Sequence, residues 1–123
     1  MESGQLTIAE SLHQGNEFHR AGKIQDAERV YRAILKAHPQ NPEANHDLGV
    51  LAVQVGKAEL GLPLLKVALE ARPDNRTYWL DLIKALLAAG QTDVAGAVLE
   101  QGQQHGLAGP SILALATRIE TAK

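Results

Sequence analysis

Apolar residues recur along the chain at the spacing of α-helices. In the segment 24–37, for example, Val30, Ile34 and Ala37 fall on one side of a helix, because residues about three, four or seven positions apart share a helix face. Valine and isoleucine nowhere alternate with polar residues over a useful length, so strands are not predicted. The pattern predicts an all-α fold of about seven helices, over residues 8–21, 24–37, 42–55, 58–71, 76–89, 92–105 and 110–122.

Glycine and proline residues separate these helical segments. A glycine suits the end of a helix where the following turn requires positive φ, and the glycines in such positions are Gly22, Gly56 and Gly90. Pro39 and Pro73 end the second helix of a pair, and Pro42 opens a helix as its first residue. Pro63 is an exception because it lies inside a predicted helix. We expect that helix either to begin late, near Leu60, or to be kinked.

The same residue types return when the sequence is shifted by 34 positions. Gly22 falls on Gly56, and Pro39 falls on Pro73. This frame divides the chain into a leader (1–7), three units (8–41, 42–75 and 76–109) and a final segment (110–123). One helix pair cannot bury its apolar face alone, so such units stack and the last one requires a cap. We predict that the final segment is this capping helix, with an apolar stripe formed by Ile112, Leu113, Leu115, Ala116 and Ile119.

The period and its residues resemble those of the tetratricopeptide repeat (TPR) family. That family has a tryptophan, a leucine–glycine pair and a tyrosine in the first helix, an alanine and a phenylalanine in the second, and a closing proline. The residues that carry the resemblance are Gly15, Phe18, Ala27, Tyr31, Pro39, Leu48, Gly49, Trp79 and Leu82. The resemblance implies a right-handed superhelical solenoid of antiparallel helix pairs. Leu107 in place of a proline and Gly102 in place of an alanine are expected to weaken the end of the third unit.

Composition and charge narrow the class of protein. The chain has 123 residues, 45% of them hydrophobic, and a formal net charge of -2, as is typical of a soluble globular domain. The absence of cysteine excludes disulfide bonds and thiol nucleophiles, and the charge is not the basic footprint of a nucleic-acid-binding protein. No apolar run is long enough to span a membrane, and no signal peptide is recognisable. We expect a cytoplasmic protein that binds neither nucleic acid nor membrane.

Motifs for catalysis or cofactor binding are not found in the sequence. The prediction is therefore a protein that is not an enzyme and has no cofactor. His13 and His46 occupy adjacent positions in the first helices of neighbouring units, so a metal site is a second interpretation. Solvated or hydrogen-bonded histidines are much commoner in proteins, so no metal site is predicted.

The resemblance implies that the first helices of the units line a concave groove whose residues contact a partner. The candidate groove residues are His13, Asn16, Arg20, His46, Asp47, Val50, Gln54, Leu80, Asp81, Lys84 and Leu87, with Leu12 and Leu115 at further groove positions. Asp47 and Asp81 occupy equivalent positions in the first helices of consecutive units. We expect them to need no buried counter-charge. They are either solvated carboxylates or the receptors of a lysine or arginine from a partner. TPR co-chaperones grip a terminal carboxylate with cations at these positions, so such a clamp is disfavoured here.

Two functions follow from these observations. The first is a non-catalytic protein–protein interaction module that binds a partner segment in the concave groove. The second is the N-terminal repeat arm of a larger bacterial glycosyl-, sulfo- or methyltransferase, because residues 27–35 and 48–56 resemble such arms. Self-association through an exposed end of the array is a third possibility, and the pattern leaves the oligomeric state open.

Overall fold

A computed structural model describes residues 6–123 of the chain. Over these residues it is all-α, as predicted, and has no strand. The seven helices are α1 (Ile8–Arg20), α2 (Ile24–Ala37), α3 (Pro42–Gln54), α4 (Ala58–Ala71), α5 (Arg76–Ala88), α6 (Thr92–Gln104) and α7 (Pro110–Ala122). Each helix packs against the next one in the chain, which makes a helical repeat solenoid. Residues 1–5 of the predicted leader lie outside the described residues.

Side chains at the helix starts explain why these helices begin where they do. Thr7 and Glu10 form a reciprocal capping box at the start of α1, with the Thr7 amide donating to Glu10 Oε1 at 2.8 Å and the Glu10 amide donating to Thr7 Oγ1 at 3.0 Å. Asn41 and Asn75 cap α3 and α5 through their side-chain oxygens, which accept hydrogen bonds from backbone amides. Local sequence therefore sets the starts of α1, α3 and α5.

The helices form two layers that are packed differently. Within the first layer, α1 contacts α3, α3 contacts α5 and α5 contacts α7. In the second layer, α2, α4 and α6 bring no pair of Cα atoms within 8 Å of each other over the described residues. The first layer is therefore the more closely packed of the two, as is expected of the concave side of a solenoid.

The centre of each helix pair is shaped by small residues. A Cβ atom added to Gly61 of α4 would lie 2.6 Å from the carbonyl oxygen of Gly49 in α3, so the two backbones touch. Gly15 in α1 makes room for the ring of Tyr31, whose Cε1 atom would lie 2.6 Å from an added Cβ. Tyr31 is fully buried as a result. Gly15, Gly49 and Gly61 are therefore required for the close packing of the first two pairs.

Helix α4 runs through its proline. It begins at Ala58 and not near Leu60, and Pro63 lies in its interior with its side chain exposed. The expectation of a late start is therefore wrong. Because Pro63 has no amide hydrogen, the carbonyl group of Glu59 lacks the usual helical donor.

The two departures from the family pattern near residue 105 compensate for each other. Gly102 leaves the space that Leu107 and Trp79 fill, since an added Cβ would lie 2.7 Å from Leu107 Cδ2 and 3.2 Å from Trp79 Cε3. Helix α6 ends in a glycine turn, with Gly106 at φ +94° and the Leu107 amide donating to the Gly102 carbonyl group at 2.9 Å. The end of the third unit is thus well packed, contrary to the expectation that these residues weaken it.

The capping helix covers the end of the core with one side only. Ile112, Leu115 and Ile119 are buried in the large cluster that also contains Trp79. Leu113 is instead 67% exposed, so its assignment to the buried stripe is wrong. Its side of α7 is uncovered, since no helix follows α7 in the described residues.

Candidate functional site

A hydrogen-bonded cluster lies on the first layer, where α3 and α5 meet. His46 of α3 lies between two carboxylates: its Nδ1 atom is 3.0 Å from Asp47 Oδ1, and its Nε2 atom is 2.6 Å from Asp81 Oδ2 of α5. The ring stacks on Tyr78, with the ring centroids 4.5 Å apart and the planes at 25°. All four residues are buried or half-buried. We call His46, Asp47, Asp81 and Tyr78 the histidine cluster.

The two carboxylates keep the His46 ring protonated. Burial alone disfavours the charged ring, but the hydrogen bonds and negative charges of Asp47 and Asp81 outweigh it and raise the pKa of His46 to about 9. At neutral pH one imidazolium therefore lies between two carboxylates, and the cluster carries one net negative charge. Asp47 and Asp81 thus have a counter-charge in His46, although the sequence predicted that they need none.

Next to this cluster lies a polar cleft between α1 and α3. It has a volume of about 660 Å³ and is lined by Asn16, His19, Arg20, Asp47 and Gln54. His19 and Gln54 hydrogen-bond to each other across the cleft. Asn16 accepts a hydrogen bond of 2.5 Å from the Tyr31 hydroxyl, and burial together with the charge of Asp47 raises the pKa of that hydroxyl. The cleft offers one cation from α1, Arg20, and one carboxylate from α3, Asp47.

The other candidate residues divide into exposed polar and half-buried apolar side chains. His13 and Arg20 are exposed and lie 3.9 Å and 2.7 Å from Glu17, while Lys84 is exposed on α5. The apolar candidates are Val50, Leu80 and Leu87, which are half-buried and pack against the main core. They can offer only part of their surface to a partner.

Two residues that were placed in the groove belong to the core instead. Leu12 is buried against Ile34 and Ala44, and Leu115 of α7 is buried in the main core. The prediction for these two residues is wrong, because position within a unit alone does not decide whether a side chain faces the groove. An apolar side chain at such a position turns toward the neighbouring helix, where it is removed from water.

Sequence reasoning missed Tyr78, and it grouped His46 with Asp47 and Asp81 without predicting the hydrogen bonds to these partners. One signal for the partners is the spacing: His46–Asp81 and His19–Gln54 are both pairs 35 residues apart. This is one more than the 34-residue period. Each bond therefore joins a residue of one unit to the residue that follows its equivalent in the next unit. Residues 6–123 contain no group of three or more histidine, aspartate or glutamate side chains placed to hold a metal ion.

Comparison with known protein families identifies the repeat. One tetratricopeptide repeat model matches residues 52–119, and a second matches residues 12–59. The chain belongs to the tetratricopeptide repeat family. TPR domains are protein-interaction modules that are typically non-catalytic, and protein or peptide partners are expected accordingly. Across residues 6–123, none of the helices is long and apolar enough to cross a membrane.

Solved structures with the same fold come from several kinds of protein. The first TPR of Spaghetti (RPAP3), bound to the HSP90 peptide SRMEEVD, has a TM-score of 0.83 at 16% identity, with 94% of this chain and 91% of that chain covered. The O-GlcNAc transferase of Thermobaculum terrenum has a TM-score of 0.72 at 30% identity over 79% of this chain, but only 19% of that chain.

MamA from Desulfovibrio magneticus RS-1 has a TM-score of 0.71 at 20% identity, covering 78% of this chain and 54% of that chain. At identities below a quarter, the RPAP3 and MamA comparisons establish the fold alone. A search of curated protein sequences gives no significant match.

Proposed function

We propose that the chain is a non-catalytic module that binds a segment of a partner protein in the concave groove of the first layer. The histidine cluster is the observation that carries this proposal. Asp47 and Asp81 each use one carboxylate oxygen to bind His46, and their side chains remain 22% and 23% exposed. The second oxygen of each carboxylate is thus available to a hydrogen-bond donor from outside.

The chemistry of the groove favours a basic partner segment with apolar anchors. A lysine or arginine placed over the cluster would meet one net negative charge on a rigid support, since His46 holds both carboxylates in position. Val50, Leu80 and Leu87 would provide the apolar surface beside it. Apolar anchors supply most of the affinity in such complexes, and charge pairs mainly set specificity and association rate.

This groove differs from one that binds acidic peptides. The RPAP3 domain is bound to a peptide with two glutamates and a terminal aspartate, whereas the middle of the present groove carries Asp47 and Asp81. A partner carboxylate there would be repelled by the net charge of the cluster. The proposed partner segment is therefore basic.

A comparison of two peptide libraries tests the proposal. One library carries a central lysine or arginine between apolar anchors, and the other carries glutamate at the same place. We expect the intact chain to prefer the basic library, with an affinity that falls as salt is added. The double variant Asp47→Asn, Asp81→Asn is expected to lose both the preference and the salt dependence.

The matched control is the double variant Asp74→Asn, Asp93→Asn. It removes the same two charges from exposed positions in the turn before α5 and in the first turn of α6. It is expected to bind the basic library as the unchanged chain does. Equal binding of both libraries, or equal loss in both double variants, would contradict the concave groove as the binding site.

A second function has one observation in its favour. The likeness to the O-GlcNAc transferase, at 30% identity over a fifth of that chain, agrees with the interpretation that these repeats form the N-terminal arm of a larger transferase. The gene tests this directly, because such an arm requires an open reading frame that continues beyond Lys123 into a catalytic domain. A stop codon at this point would exclude it.

A further inference from the structure

An apolar cleft opens on the side of the molecule opposite to the concave groove. It lies between α2 and α4, which have no pair of Cα atoms within 8 Å, and α3 forms its floor. Its volume is about 280 Å³. Leu48 and Leu51 of α3 form the floor, and Ile24 and Leu64 form the two walls. We call this site the outer cleft.

Exposed apolar side chains concentrate at the outer cleft. Leu60 is 64% exposed and Val55 is 46% exposed, and both line it. Only six large apolar side chains are exposed in residues 6–123, so two of them meet at one small cavity. Leaving such side chains in water is unfavourable, at about 25 cal/mol for each Å² of apolar surface. An apolar group that covers them would therefore gain free energy.

The net charge at the rim of the outer cleft is positive, whereas the net charge of the histidine cluster is negative. Arg32 and Lys57 are the cations at this rim, and Glu28 is the anion. Arg32 pairs with Glu28 at 2.8 Å, whereas Lys57 forms no ion pair with any residue of the described chain. The rim is thus positive although the whole chain has a net charge of -2.

We propose that the outer cleft docks a segment of a partner protein that presents a leucine-like anchor next to a carboxylate. The volume is just below the range of about 300–1,000 Å³ that encloses small molecules, and it suits one or two side chains. The anchor fills the space over Leu48 and Leu51, in contact with Leu60. The carboxylate lies against Lys57, which has no partner of its own in the described chain. This surface is separate from the concave groove and does not depend on it.

Two synthetic helical peptides probe the outer cleft. Both carry leucines along one face; one has glutamates beside the leucines, and the other has lysines there. Methyl resonances of isotope-labelled leucine and valine report binding, and those of Val55, Leu60 and Leu64 are expected to shift. The acidic peptide is expected to bind about ten-fold more tightly than the basic peptide at low salt. Lys57→Glu is expected to remove or invert this preference.

Leu60→Glu and Leu113→Glu form a matched pair of variants. Both side chains are about two-thirds exposed, at 64% and 67%, so neither change is expected to unfold the chain, which circular dichroism verifies. Only Leu60 lines the outer cleft. Leu60→Glu is expected to weaken the acidic peptide at least about ten-fold, by placing a buried charge against its anchor. Leu113→Glu is expected to bind like the unchanged chain.

Three results would overturn the proposal. The first is equal affinity for the two peptides, and the second is binding of the acidic peptide that survives Leu60→Glu. The third is self-association in sedimentation that only Leu60→Glu removes, because a second copy would then occupy the cleft. The double variant Asp47→Asn, Asp81→Asn is expected to keep its affinity for the acidic peptide, so failure here is distinguishable from failure of the concave groove.

Discussion

The α3–α4 and α5–α6 pairs solve the same packing problem with different residues. Asn45 in α3 donates a hydrogen bond of 3.0 Å to the carbonyl oxygen of Pro39, and Trp79 in α5 donates one of 2.7 Å to that of Pro73. In each case a side chain of a first-layer helix binds the carbonyl oxygen of the proline six residues before it in the sequence. The bond is common to both pairs, but only Trp79 also fills the space between helices.

The two pairs also differ where their helices cross. Gly49 and Gly61 let the backbones of α3 and α4 touch, whereas Ile83 and Ala95 stand at the equivalent places in α5 and α6. Ile83 is completely buried, so the α5–α6 pair replaces backbone contact by side-chain packing. Repeats of one family therefore tolerate different helix distances, provided that side-chain volume fills the difference.

The largest expected effect on stability comes from substituting Trp79, and the same substitution at Asn45 provides the comparison. Trp79→Ala removes a buried indole that contacts α6 and belongs to the main core, and it is expected to cost roughly 3–5 kcal/mol. Asn45→Ala removes hydrogen bonds but little volume and is expected to cost about 1–3 kcal/mol. Urea denaturation measures both. Equal costs would show that the hydrogen bond, and not the indole volume, is what matters at this position.

Side chains that act locally could be predicted from sequence, and those that act between units could not. The helix bounds follow from residues such as Asn41, Asn75 and Gly90, whose effects are confined to one turn. The position of His46 between two carboxylates depends on how α3 and α5 are rotated against each other. That rotation is set by the packing of many side chains, so spacing alone could suggest the pair His46–Asp81 but not its stacking on Tyr78.

The next effect concerns the link between the two pairs, because His46 lies on α3 and Asp81 on α5. The pKa of His46 is raised from 6.5 to about 9 in the folded chain. Its stabilising contribution is therefore complete below about pH 6.5 and is lost as the pH rises through about 9. The free energy of unfolding is expected to fall by at most about 3 kcal/mol over this range.

His46→Gln provides the control for this pH dependence. Glutamine can still hydrogen-bond but cannot carry the charge, so the variant is expected to be less stable at neutral pH and to show a flatter profile up to pH 9. Thermal denaturation across this range measures both chains. A wild-type profile that is already flat would mean that the cluster does not hold a charged ring.

The smallest effect tests the backbone contact between α3 and α4. Gly61→Ala gains up to about 1 kcal/mol in helix propensity, but its Cβ atom would lie 2.6 Å from the Gly49 carbonyl oxygen, which belongs to backbone and cannot move aside freely. Overpacking of this kind costs typically about 1–3 kcal/mol. We therefore expect a net loss of stability of roughly 1 kcal/mol, measured by urea denaturation.

Gly96→Ala in α6 is the matched control, because it makes the same chemical change where space exists. An added Cβ at Gly96 meets only Ile119 Cγ2, at the ordinary contact distance of 3.7 Å. The variant keeps the gain in helix propensity and is expected to be more stable by about 0.5–1 kcal/mol. The two substitutions should thus change stability in opposite directions. If Gly61→Ala stabilised the chain as Gly96→Ala does, α3 and α4 would have room to separate, and the distinction between the two helix pairs would be lost.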